Sequence, residues 1–115
     1  MEPYDYDLGT KNLRLEREGP ILWCTIDRPK ARNALTPSMY FGLKKAVRVV
    51  NSDKSLRALI ITGTGDVFAP GGDLGGRYEE GDSPVPEGLS YECLPFVSIR
   101  ESQAPVISAV NGICQ

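Results

Sequence analysis

The two adjacent glycines Gly71 and Gly72, followed by Asp73, have the residue types and spacing that best suit chemistry in this chain. They come after an apolar run at residues 58–61 that is typical of a strand. Glycine lets the backbone turn sharply and approach a bound group, because no Cβ stands in the way. Backbone N–H groups freed at such a turn, beside a helix N-terminus, stabilise negative charge that develops on an oxygen. The pattern predicts an oxyanion hole, and a plain strand-to-helix turn is the alternative.

Three nearby carboxylates are candidates for acid–base chemistry. Asp73 is in a position where an aspartate more often caps a helix by accepting backbone N–H bonds. Glu79 and Glu80 are more typical of a solvated acidic loop, and a catalytic role would require burial to raise the pKa of one of them. The chain contains no histidine, which excludes a His-based triad and a His-containing zinc site within these residues.

Lys30 and Arg32 lie in a loop after the second predicted strand. Basic side chains in a loop are exposed charges by default, and they also bind phosphates well. The segment Gly63-Thr64-Gly65 is similar to a dinucleotide-binding turn, but Phe68 occupies the place of its third glycine. That interpretation is therefore rejected.

Three cysteines, Cys24, Cys93 and Cys114, are scattered without the spacing of a metal or redox motif. Each lies in an apolar stretch, so we expect small buried thiols in a reducing compartment. No metal site is predicted.

The composition is that of an ordinary soluble domain, or a piece of one. The chain has 115 residues, of which 41% are hydrophobic and 24% charged. Thirteen basic and fifteen acidic residues give a net charge of -2, and no basic stripe indicates a nucleic-acid partner. No apolar run approaches the roughly 18 residues of a membrane span. We expect a cytoplasmic protein, or a mitochondrial or peroxisomal one if the source is eukaryotic.

The elements that must position these residues follow from hydrophobic periodicity and turn signals. Thr36-Pro37 is a favourable helix start, with a hydroxyl N-cap and proline in the first position. A helix near the C-terminus is either kinked at Pro95 or begins there. The pattern predicts a flexible N-terminal arm at 1–12, strands at 12–18, 21–27, 56–62 and 106–110, and helices from 36 to about 51–55 and within 89–103. This order predicts an α/β fold with some parallel pairing.

Four motifs in this order resemble the N-terminal portion of the crotonase superfamily, the enoyl-CoA hydratase/isomerase fold. The resemblance covers residues 13–115, and the motifs are Ile26-Asp27-Arg28-Pro29 with Asn33-Ala34-Leu35, residues 56–63, residues 68–74 and residues 105–112. It implies a spiral of repeated strand–strand–helix units, here truncated, that assembles as a homotrimer or hexamer. Residues 13–115 are then an incomplete crotonase-like domain.

The resemblance also implies a site. Gly72, where the family often has alanine, would donate its backbone N–H to a thioester oxygen. A second donor would follow Asn111-Gly112, and that donor and the catalytic carboxylates would lie beyond Gln115. The implied contacts with coenzyme A (CoA) are Arg28, Lys30, Ala31, Arg32, Pro70, Gly72, Asp73 and Leu74. A CoA thioester would be the substrate, and no permanently bound cofactor is expected.

Two functions follow from these observations. The first is an acyl-CoA thioester enzyme of the enoyl-CoA hydratase/isomerase type, whose oxyanion hole stabilises a thioester enolate. The second is a truncated, non-catalytic domain that binds acyl-CoA or a partner. We expect the 115-residue chain to be inactive alone. It should also aggregate or oligomerise, because a spiral cut partway leaves apolar surface uncovered.

Overall fold

A mixed five-stranded sheet forms the centre of the protein. The structure is a computed structural model that describes residues 1–72, 79, 81–83 and 95–114. The strand order in the large sheet is β1-β2-β3-β4-β6, and β5 pairs with β7 in a second, two-stranded sheet. The elements are β1 Glu2–Pro3, β2 Leu13–Glu18, β3 Ile21–Ile26, α1 Pro37–Ser52, β4 Ala58–Gly63, β5 Val67–Ala69, α2 Phe96–Glu101, β6 Val106–Ala109 and β7 Ile113–Cys114.

The pairing combines an antiparallel hairpin with parallel crossovers. β2 and β3 pair antiparallel, whereas β4 pairs parallel to β3 and β6 parallel to β4. A parallel connection needs a crossover, and α1 supplies it between β3 and β4. This arrangement confirms the predicted α/β class and the predicted parallel pairing.

The core lies between one face of the sheet and α1. Alternate strand residues point to the same face, and those of β3 and β4 that face α1 are almost fully buried. Thr36 caps the helix as predicted, because its side-chain oxygen accepts from the Met39 N–H at 3.2 Å. The buried residues are Leu22, Cys24, Ile26, Leu59 and Ile61 of the sheet and Met39, Leu43, Ala46, Val47 and Val50 of α1.

Two short elements differ from the sequence prediction. β5 and β7 have three and two residues, too few to show a hydrophobic period, and neither was predicted. α2 begins after Pro95, and the predicted helical residues 89–94 lie outside the described residues. The position where a short helix could follow Asp73 also lies outside them.

The N-terminal segment, predicted to be a loose arm, packs along the sheet. Glu2–Pro3 pair antiparallel with β2, and Leu8 is buried in the core. The Tyr4 hydroxyl donates to Asp53 at 2.6 Å. Hydrogen bonds from Ser55 and Tyr4 lower the pKa of Asp53 to about 2.

Among the described residues, none of the helices has the length and apolar character needed to cross a membrane.

The cysteines divide into two environments. Cys24 is buried in the core, and that burial raises the pKa of its thiol to about 12. Cys114 is exposed, so the expectation of a buried thiol is wrong at this residue. The reason is that both residues of β7 are exposed, with little packed over them. Cys93 lies outside the described residues.

Candidate functional site

Two loops, one after β3 and one after β5, meet at a backbone bridge. We call residues 28–35 after β3 the basic loop, and residues 70–72 after β5 the glycine loop. The carboxyl ends of the parallel strands β3 and β4 lie at the same end of the large sheet. The basic loop follows β3, and the chain that leaves β4 passes through β5 of the second sheet to the glycine loop. A parallel bridge joins Leu35 to Gly72, and the Leu35 N–H donates to the Gly71 carbonyl at 2.9 Å. The structure therefore brings together the two segments that carry the predicted site residues.

Gly72 presents its backbone to solvent. The residue is exposed, and its N–H has no hydrogen-bond partner in the part of the chain that the structure describes. The hydrogen bond of the bridge joins the Leu35 N–H to the Gly71 carbonyl and does not use the Gly72 N–H. This leaves a free backbone donor at the end of the glycine loop. Asp73 and Leu74, also predicted here, lie outside the described residues.

The basic loop begins with a short 3₁₀ turn at Pro29–Ala31. Ala31 and Pro70 are half-buried. Arg32 is exposed and has a φ of 51°. The Lys30 side chain is 70% exposed, and its Nζ lies 3.2 Å from Glu79 Oε2. Lys30 and Arg32 are therefore open to an external anion.

Arg28 is buried, unlike the other basic residues of this loop. Its side chain is 9% exposed. The Nε atom donates to Glu79 Oε1 at 2.5 Å, and Nη1 donates to the Ala34 carbonyl at 3.0 Å. Arg28 thus fixes the shape of the basic loop from inside.

Glu79 pairs with Arg28 and Lys30 of the basic loop, and it is neither solvated nor prepared to take up a proton. Its side chain is 16% exposed, so the expectation of a solvated acidic loop is wrong at this residue. Burial by itself raises its pKa, but hydrogen bonds from Asn12, Arg28 and Lys30 outweigh that effect and hold the pKa below the ordinary value. An acid–base carboxylate would need the opposite shift. Glu80 lies outside the described residues.

Asn33 and Asn111 were identified in the sequence only as parts of the family motifs, and the hydrogen bonds that their side chains make were not predicted. Asn33 is 1% exposed; its side chain accepts from the Arg28 N–H at 2.9 Å and donates to the Val67 carbonyl at 2.8 Å. Asn111 accepts from the Gly63 N–H at 3.0 Å and donates to the Gly65 carbonyl at 2.8 Å. Each side chain fixes the turn that leads into β5 and the glycine loop. The signal available in the sequence was the residue type, since asparagine tolerates the positive φ of 63° that Asn33 adopts.

A cavity of about 400 Å³ opens beside the basic loop. Arg32 and Asn33 line it from one side and the turn at 64–67 from the other. Its volume is within the range of small-molecule sites, and its charged lining residues are Arg32, Asp27 and Asp66.

Comparisons with known proteins agree with this arrangement. The sequence profile described as Enoyl-CoA hydratase/isomerase matches residues 16–115. The chain is 39% identical to carnitinyl-CoA dehydratase of Salmonella enteritidis PT4, over 90% of the chain and 39% of that protein. It is 37% identical to crotonyl-CoA hydratase of Syntrophomonas wolfei, over 91% of the chain and 41% of that protein. The chain thus spans about two fifths of the length of these relatives.

Solved structures show the same likeness in three dimensions. The crystal structure of an enoyl-CoA hydratase from Mycobacterium tuberculosis superposes with a TM-score of 0.69 and 35% identity, covering 90% of this chain and 39% of that one. Pseudomonas aeruginosa OdaA superposes with a TM-score of 0.72 and 31% identity, covering 90% and 40%. The profile match, the relatives and the shared crotonase fold agree with the motifs found in the sequence. The chain therefore belongs to the enoyl-CoA hydratase/isomerase family.

Proposed function

We propose that the protein binds an acyl-CoA thioester and catalyses a hydratase or isomerase reaction on it, with the Gly72 N–H as an oxyanion donor. The observation that carries this proposal is the N–H of the exposed Gly72, which has no partner among the described residues and is held by a backbone bridge beside the basic loop. A donor fixed in advance stabilises the enolate oxygen without reorganising during the reaction. Assembly as a homotrimer or hexamer is part of the same proposal and rests on the family resemblance.

CoA would lie along the two loops. We assign its phosphates to Lys30 and Arg32, because both side chains reach solvent. We assign to Arg28 the support of the loop, because Glu79 and Ala34 already engage its guanidinium. Ala31, Pro70, Asp73 and Leu74 remain proposed contacts through their place in the family motifs.

In the hydratase reaction, the hydroxyl of a water molecule adds to the β-carbon of an enoyl thioester and a proton adds to the α-carbon. Electron density moves to the thioester oxygen as the first bond forms, and the Gly72 N–H would stabilise that charge. We assign no described backbone N–H to the second donor that the family resemblance implies, and no described residue to the catalytic carboxylate. Glu79 is unsuited to that role, because its ion pairs hold the carboxylate ionised and turned toward Arg28 and Lys30.

The test removes the donor from the complete protein. Gly72→Pro deletes the N–H, and crotonyl-CoA hydration should fall by about 10²–10³-fold. Gly72→Ala retains the N–H and should lose less. Both variants should keep the wild-type circular dichroism spectrum, because the N–H bonds no described residue. Full activity in Gly72→Pro, or the absence of turnover and binding for a panel of enoyl-CoA thioesters, would overturn the proposal.

A second candidate is acyl-CoA binding without turnover. The observation that favours it is that Glu79, the described carboxylate that pairs with Arg28 and Lys30 of the basic loop, is committed to those ion pairs. Calorimetric titration with CoA at several salt concentrations separates the two candidates when it is combined with the hydration assay. Binding that weakens with salt and in Lys30→Gln/Arg32→Gln, with no hydration of any enoyl-CoA, would favour this second function.

A further inference from the structure

The side chain of Tyr40 lies against Gly72. A Cβ atom built on Gly72 would be 3.1 Å from the Tyr40 hydroxyl oxygen and 3.6 Å from its Cε2 atom. The phenol therefore lies in tight contact with the position that a Cβ at residue 72 would take. No sequence motif indicated this neighbour.

The Tyr40 hydroxyl is an available donor. It makes no hydrogen bond with any residue in the described part of the chain, whereas the Tyr4 hydroxyl donates to Asp53. Tyr40 is half-buried, and a tyrosine hydroxyl in such surroundings normally finds a partner. Burial also raises the pKa of Tyr40, so the hydroxyl keeps its proton at neutral pH and can donate it to an oxygen.

The same short stretch of backbone positions both groups. Tyr40 lies in the first turn of α1, where its N–H donates to the Thr36 carbonyl at 3.1 Å. Thr36 is fully buried, and its neighbour Leu35 forms the bridge to the glycine loop. The start of α1 therefore fixes the phenol relative to the Gly72 backbone before any ligand binds.

We propose that the Tyr40 hydroxyl is a catalytic residue that donates a second hydrogen bond to the thioester oxygen received by the Gly72 N–H. This inference rests on the proposed acyl-CoA function. The ligand class is a CoA thioester, whose carbonyl oxygen gains charge as the enolate forms. A neutral phenol next to the backbone donor stabilises that charge and keeps its own proton throughout. The missing Cβ at Gly72 gives the hydroxyl access to the oxygen.

The experiment follows the thioester carbonyl directly. Crotonyl-CoA labelled with ¹³C at the thioester carbon is bound to the complete protein, and the carbonyl stretch is measured by difference infrared spectroscopy. Each hydrogen bond lowers this frequency. In Tyr40→Phe, which keeps the ring, we expect the frequency to return partway to the free value and kcat to fall roughly 10–100-fold. KM should change little, and the exposed Tyr6 provides the matched control, Tyr6→Phe.

The outcomes distinguish this inference from the proposed function. A lowered frequency that is equal in wild type and Tyr40→Phe would overturn the role of Tyr40 and leave the Gly72 donor intact. No lowering in wild type would overturn both. A second variant tests the geometry: the methyl of Gly72→Ala would crowd the hydroxyl, so Gly72→Ala and Tyr40→Phe should reduce kcat to similar extents. Their effects should not multiply in the double variant, and multiplicative effects would contradict the contact.

Discussion

The basic loop and the glycine loop form one candidate site, but they are held in different ways. Buried side chains fix the basic loop: Asn33 bonds the backbone of two segments, and Arg28 pairs with Glu79. Backbone fixes the glycine loop, through the Leu35 N–H to Gly71. Adjacent to it, Gly72 is exposed, and its own N–H bonds no described residue. The first loop is therefore held by its own buried side chains, whereas the second leaves the Gly72 N–H without a partner among the described residues.

This difference shows why the two loops should respond to mutation differently. A loop held by side chains is destabilised when one buried side chain is removed, because the buried donors and acceptors that it bonded are left without partners. Backbone support fails when a residue cannot adopt the required φ and ψ. The largest stability effects should thus occur in the basic loop, and the glycine loop should be sensitive to conformation.

The largest expected effect is that of Asn33→Ala. The variant leaves the Arg28 N–H and the Val67 carbonyl buried without this partner. We expect a loss of about 2–4 kcal/mol in the free energy of unfolding, measured by urea denaturation. The matched control is Asn111→Ala, which removes bonds to the same turn from an exposed position and should cost about 1 kcal/mol or less. Equal losses of unfolding free energy in the two variants would show that the buried asparagine stabilises the turn no more than the exposed one.

Glu79→Gln should have the next largest effect. The variant removes the charge that compensates the buried Arg28 guanidinium, so we expect a loss of about 1–3 kcal/mol and a higher KM for CoA thioesters. Glu16→Gln is the control, because Glu16 forms an exposed pair with Arg14 and should cost less than about 0.5 kcal/mol. A Glu79→Gln variant as stable as the control would mean that the basic loop does not depend on this ion pair.

The two adjacent glycines test the glycine loop. Gly71 has a φ of 136°, and a Cβ there would touch nothing within 4 Å. Gly71→Ala should therefore cost about 1–2 kcal/mol through backbone strain alone. Gly72 has no such φ, so Gly72→Ala should be less destabilising and should act on kcat through Tyr40. Thermal melts of the two variants measure the conformational penalty, and their hydration rates measure the effect on catalysis. If Gly72→Ala were less stable than Gly71→Ala, the claim that backbone conformation holds the glycine loop would be contradicted.

The sequence predicted the large elements and the place of the site, but not the contacts that hold it. The capped helix at Thr36-Pro37 and the apolar strands β3 and β4 carry their own periodic signals. β5 is three residues long and is defined by its partner β7, which lies far along the chain. The pairing of Glu79 with Arg28 spans 51 residues, so no local pattern encodes it. Tyr40 has the spacing of an ordinary helix residue, and only the fold places it beside Gly72.

The smallest expected effect is a pH dependence confined to the basic loop. The hydrogen bonds to Glu79 keep its pKa below the ordinary value of 4.5. A carboxyl whose pKa is lower in the folded state contributes stability above its unfolded pKa, and that contribution disappears as the pH falls through the folded value. We therefore expect the wild type to lose part of its stability advantage over Glu79→Gln as the pH falls below about 4.5, measured as the difference between their melting temperatures. Gly71→Ala should show no such convergence with wild type, because its penalty is conformational and involves no proton. If all three proteins kept constant differences down to pH 3, the ionised Glu79 would not be what holds the basic loop.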